Sequence, residues 1–76
     1  MVKLPRLSGL ELIKILAKFG FEKTRQKGSH VILIKGKGRN KIGCVVPLHD
    51  ELENGTLLAI LRQAKIGRDE FLEKYK

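Results

Sequence analysis

An α+β fold, with the order α-β-β-β-α and a short closing helix, is what this sequence predicts. Three observations predict it. Apolar residues recur at helical spacing in "SGLELIKILAKFG" and "TLLAILRQAK". The segments "HVILIK" and "KIGCVV" are β-branched runs bounded by turn residues. The helical segments flank the strand segments instead of alternating with them, which favours an antiparallel sheet with helices on one face, a two-layer sandwich. At 76 residues, one domain over 1–76 is expected, with a core small enough that a partner or a second copy would add stability.

The elements follow in order. Ser8 and Glu11 form an S-x-x-E capping box at the start of a helix over residues 8–19. Leu12, Ile13, Leu16 and Ala17 supply its apolar stripe, widened by Ile15 and Phe19, and Gly20 ends it. "FEKTRQ" at 21–26 reads as a short strand, "HVILIK" at 30–35 as the strongest one, and "KIGCVV" at 41–46 as a third, stopped by Pro47. Lys27 to Ser29 and the glycine-containing basic stretch "KGKGRN" make the two hairpin connections, giving a three-stranded meander. Asn54, Gly55 or Thr56 caps a second helix over "TLLAILRQAK", with Leu57, Leu58, Ile60 and Leu61 facing inward. Gly67 interrupts, and "RDEFLEKYK" closes the chain as a short helix with Phe71, Leu72 and Tyr75 for packing.

Alternation in the central strand puts Val31 and Leu33 on one side and His30, Ile32 and Ile34 on the other. Helices cover one face of such a sheet, so the other exposes apolar residues. A protein partner, a second copy of the chain (a homo-oligomer), or the chain's own loops would cover it.

Charge narrows the function. Sixteen Lys and Arg against eight Asp and Glu give a net charge of +8, which favours a polyanionic partner, RNA or DNA above all. A membrane partner is disfavoured: there is no tryptophan, and no apolar run nears the ~20 residues of a spanning helix. No secretory leader is visible, and the single cysteine, Cys44, precludes a disulfide within the chain; both suit a cytoplasmic location.

Few residues carry chemistry. His30, His49 and Cys44 lack metal-ligand spacing, so no metal and no cofactor is expected. The acidic stretch Asp50, Glu51 and Glu53 reads as capping and solvation before a helix. Cys44, inside an apolar strand, reads as a small hydrophobe. His30 stands out. It follows "RQKGS", so Arg25, Lys27 and Ser29 precede it, and Lys35, Lys37, Arg39 and Lys41 surround the next hairpin. An imidazole exchanges protons near neutral pH, and cations stabilise charge developing on phosphate oxygens. RNA cleavage needs that combination. A histidine at a strand start also has an ordinary structural reading, and the same cations serve a non-catalytic RNA-binding domain or a protein-interaction module.

Two long segments, "LPRLSGLELIKILAKFGFEKTRQKGSHVILIK" and "VVPLHDELENGTLLAILRQAKIGRDEFL", resemble the HicA (YcfA-like) toxins of toxin–antitoxin pairs. The most specific parts are "GF" after the first helix, "RQKGSH", "VPLH" and "GTLLAILRQA". The resemblance implies a fold like a double-stranded-RNA-binding domain and metal-independent endonucleolytic cleavage of mRNA, which stops translation. It implies that His30, in G-S-H, is catalytic, and that a HicB-type antitoxin is the protein partner. His49, in the "PLH" segment, is an auxiliary acid–base candidate or a residue that orders its loop. The basic turn lacks the "HP" pair of many relatives, which leaves its substrate contacts open.

Overall fold

The structure, a computed structural model, describes residues 4–75. Helix α1 (Gly9–Lys18) leads to strands β1 (Glu22–Lys27), β2 (His30–Lys35) and β3 (Ile42–Pro47), then to α2 (Asn54–Gln63) and α3 (Arg68–Tyr75). A single turn of 3-10 helix at Gly38–Asn40 lies between β2 and β3. The sheet is antiparallel in the order β1-β2-β3, so the predicted α+β two-layer arrangement, like that of a double-stranded-RNA-binding domain, is the one adopted.

Helix α1 starts where the capping box places it. Glu11 N–H donates to Ser8 Oγ at 3.1 Å, and Ser8 N–H donates back to the Glu11 carboxylate at 2.9 Å. These bonds from Ser8, with nearby Lys14 adding to them, hold the Glu11 carboxyl below its ordinary range. The helix ends in a Schellman motif: Phe21 N–H donates to Leu16 O, Gly20 N–H donates to Ala17 O, and Gly20 has φ 97°.

The stripe of α1 differs in detail from the expected one. Gly9, Leu12, Ile15 and Leu16 are buried, Ile13 and Phe19 are half-buried, and Ala17 is exposed. The docking direction of the helix, which its period does not encode, decides between such neighbouring stripes.

Val31 and Leu33 of β2 and Cys44 and Val46 of β3 face the helices and are buried. They meet Leu12 and Leu16 of α1, Leu57, Ile60 and Leu61 of α2, and Phe71 of α3 in one apolar cluster. Strand β1 is exposed along its whole length, because the helices lean toward β3. Its five polar and charged residues beside Thr24 leave that edge solvated, a common protection against edge-to-edge pairing.

Several boundaries shift. Strand β1 is Glu22–Lys27 and not 21–26, so Phe21 precedes it and Lys27 belongs to the strand instead of the turn, because Lys27 pairs with His30. Pro47 is the last residue of β3 and not the one beyond it. Helix α2 begins at Asn54, and its N-cap is Glu53, whose side chain makes no capping bond, in place of Asn54, Gly55 or Thr56. The break after α2 begins at Lys65, with φ 57°, in a second Schellman motif, and Gly67 lies within it immediately before α3, where its N–H donates to Glu70 at 3.0 Å. Phe71 is fully buried, Leu72 half-buried and Tyr75 exposed but stacked on Phe71, while Lys76 lies outside the described residues.

Candidate functional site

The corner where β2 begins is built by two turns and one loop. Lys27 pairs with His30 across a two-residue hairpin whose first central residue, Gly28, has φ 61°, the geometry of a II′ turn. A side chain built on Gly28 would meet nothing within 4 Å, so the backbone there is open to solvent. On its other side His30 pairs with Pro47. Leu48 N–H then donates to Ser29 O at 2.7 Å, and Gly9 N–H donates to His49 O at 2.9 Å. The "GSH" and "PLH" segments, separated in sequence, thus meet at one corner and are tied there to the first turn of α1. Gly9 is what allows the approach: a Cβ there would overlap the carbonyl oxygen of Pro47. Nothing in the sequence reading singled out Gly9, since a glycine after a helix cap has no distinctive local signal.

His30 is exposed, as are Ser29 and His49. Neither imidazole makes a hydrogen bond among the described residues, so both are free to engage a ligand. Residues directly opposite in an antiparallel pair share a face. Lys27 is therefore beside His30 on the outer face, and Arg25, opposite Ile32, is on that face too. The two-residue turn sets this phase. Beyond Arg25 a bulge at Thr24 shifts the register before Lys23, where Thr24 Oγ1 donates to Ile32 O at 3.2 Å, and it is Glu22 that this returns to the face of Ile34. The bulge has no counterpart in the sequence reading, because a strand this polar has no alternation in which to detect it.

The remaining cations are elsewhere. Lys35 is five residues along β2 from His30, about 17 Å at ~3.3 Å per residue. It is also on the opposite side of the strand, with its ammonium 5.9 Å from the centre of the Phe21 ring. Lys37, Arg39 and Lys41 are exposed around the 3-10 turn at the same far end. The predicted cations thus divide into Arg25 and Lys27, which the fold brings to His30, and Lys35, Lys37, Arg39 and Lys41, which it does not.

Cys44 is buried, and burial pushes its thiol up to about 11, which makes it a poor nucleophile at neutral pH. Among the described residues, no group of three His, Cys, Asp or Glu side chains is placed to hold a metal ion. Glu51 instead pairs with Arg6 at 3.4 Å on the surface. No helix of the described residues is long and apolar enough to cross a membrane.

A family model described as HicA toxin of bacterial toxin-antitoxin matches residues 9–66. That span runs from Gly9 through the His30 corner and the far basic turn to the end of the α2 break. No curated protein matches the chain, and no solved structure does.

Proposed function

The chain belongs to the HicA toxin family and is thus the toxin of a toxin–antitoxin system; on that premise we propose that it acts as an endoribonuclease, cleaving mRNA in the cytoplasm without a metal ion. His30 is the acid–base group in this reading, and a HicB-type antitoxin is the partner that restrains it. One observation carries the assignment: His30 is exposed on the open sheet face with Lys27 directly beside it and Arg25 on the same face.

The chemistry is an internal displacement at phosphorus. His30 takes the proton of the ribose 2′-OH as the bond from O2′ to phosphorus forms. The bond from phosphorus to O5′ breaks, and the 5′-oxygen leaves with a proton from a second group, for which His49 is the other imidazole of the corner. Lys27 and Arg25 steady the added negative charge on the phosphorus-bound oxygens. The products carry a 2′,3′-cyclic phosphate and a 5′-OH. The open backbone at Gly28 and the Ser29 hydroxyl are available to the same phosphate.

His30→Ala tests the reading. The variant is expected to keep its circular dichroism spectrum and its RNA affinity while cleavage falls by about 10²–10⁴-fold. A 2′-deoxy linkage at the cut site should block the wild type, and EDTA should leave the rate unchanged. Wild-type cleavage by the folded variant would remove His30 from the mechanism. A wild type that binds RNA and never cuts it would make the chain a binding domain.

A further inference from the structure

We propose that the basic turn at the far end of the sheet holds a second backbone phosphate of the same RNA strand, so that substrate lies along β2 and is gripped at both ends of one open face. The proposal rests on the RNA-cleaving reading above and adds where the rest of the strand goes.

The outer face has a direction. His30, Ile32 and Ile34 follow one another along it, and Val45 of β3 stands opposite Ile32. From His30 to Ile34 is four residues, about 13 Å at ~3.3 Å per residue. Beside Ile34 the face opens into a pocket of about 330 Å³ that Thr24, Gly36, Lys37 and Lys41 also line. Local structure makes this pocket. The Thr24 bulge displaces β1 on one side. On the other, Gly36 has φ 91°, and a Cβ on it would come within 2.6 Å of Asn40 O, so only glycine lets the chain turn back this tightly. The turn leaves Lys37 and Lys41 flanking the same opening.

Neither lysine has a side-chain partner among the described residues. Glu22 is the one acid lining the pocket, against these two ammonium groups, and Arg39 adds a third cation on the adjacent turn. The balance is positive, and the chemical class it fits is a phosphodiester. The 13 Å between the two ends would take up to about four nucleotides at the ~3.4 Å axial spacing of stacked bases. Between them the floor is aliphatic: Ile32 and Ile34 are half-buried, and Val45 is 38% exposed. No Phe, Tyr or Trp lies on this face, so there is no stacking platform for bases, and the grip is dominated by phosphates. The face is therefore expected to tolerate many sequences between its two ends.

The test compares two substrates: a 12-nucleotide RNA with one mapped cut, and the dinucleotide that spans that cut. Wild-type protein should prefer the longer one in kcat/KM. In Lys37→Ala/Lys41→Ala, whose thermal unfolding should match that of wild type, the ratio of the two kcat/KM values should fall about five- to tenfold. Binding of the 12-mer to this variant made in the His30→Ala background should lose about 0.7 from the slope of log affinity against log salt for each phosphate contact removed. An unchanged ratio with an unchanged slope overturns the proposal and gives the two lysines to a protein contact. If wild type cleaves neither substrate, the nuclease reading fails, and the salt slope alone decides: a loss supports a second phosphate site, and no loss overturns it.

Discussion

Gly9→Ala puts the assembly of the His30 corner to a test in which two physical effects have opposite signs. Gly9 is the first residue of α1, and helix propensity alone predicts that alanine there stabilises, by up to ~1 kcal/mol. The tertiary structure predicts the reverse. The new Cβ would overlap Pro47 O and stand 3.1 Å from Leu48 Cα, both backbone atoms that no side-chain rotation moves aside. The helix start cannot retreat freely either, because the Ser8–Glu11 capping box and the 2.9 Å bond from Gly9 N–H to His49 O fix it. Overpacking costs about 1–3 kcal/mol and a lost hydrogen bond about 0.5–1.5 kcal/mol. Set against about half of the propensity gain, the net is a loss of about 1–4 kcal/mol. At about 4–8 °C per kcal/mol for a domain this size, Tm should fall by at least about 4 °C and by about 15 °C at the middle of that range. Circular dichroism melts measure this directly. Cleavage assayed well below the lowered Tm should fall as well, since the displaced segment carries His49 and the partner of Ser29. A Tm equal to or above that of wild type would refute the close approach of α1 to the 47–49 segment, and with it the account of how the corner is held.

Three further outcomes are expected. Lys65 is the only non-glycine residue with positive φ among the described residues, so Lys65→Gly should relieve the left-handed strain and stabilise by about 0.5–1 kcal/mol in urea unfolding; a lower urea midpoint would refute this. Ser8→Ala removes one arm of the capping box and should cost about 0.5–2 kcal/mol. Because Glu11 is held below its ordinary 4.5, its favourable share is present above that pH and lost as pH falls through its lowered value, so the gap between Ser8→Ala and wild type should narrow in acid; a gap constant to pH 2 would refute the link. The Cys44 thiol is raised from 9.0 to about 11, so the unfolded chain ionises first: stability is full below pH 9 and declines toward 11, more in wild type than in Cys44→Ala. At pH 8 the folded protein should react with a disulfide reagent only through opening, and labelling as fast as in urea would contradict its burial.

The legible parts of this protein were those encoded within a few residues of one another. The capping box, Gly20 at the helix end and the alternation of Val31 and Leu33 against Ile32 and Ile34 each follow from local stereochemistry, and each stands in the structure where the pattern puts it. "GSH" and "PLH" were readable as motifs, and the family match spans both. What the pattern left out was phase and distance. The cap of α2 went to Glu53 because the chain entering that helix is fixed by Leu52, which is buried and bonded to Leu7 O, and not by the better capping residues that follow.

By itself the sequence determined the elements, the charge that points to a polyanion, and which face of β2 carries the imidazole. Only the tertiary structure decided which of the seven nominated RNA contacts share that imidazole's neighbourhood. Alternation along β2 already turns Lys35, five positions from His30, to the other side of the sheet, and the tertiary structure sets it against Phe21. His49, nineteen positions away, is drawn to the His30 corner by two backbone hydrogen bonds. The physical reason is that side-chain periodicity is a short-range property of the chain, whereas strand register, a bulge and a clearance as small as one missing Cβ are settled only when distant segments pack.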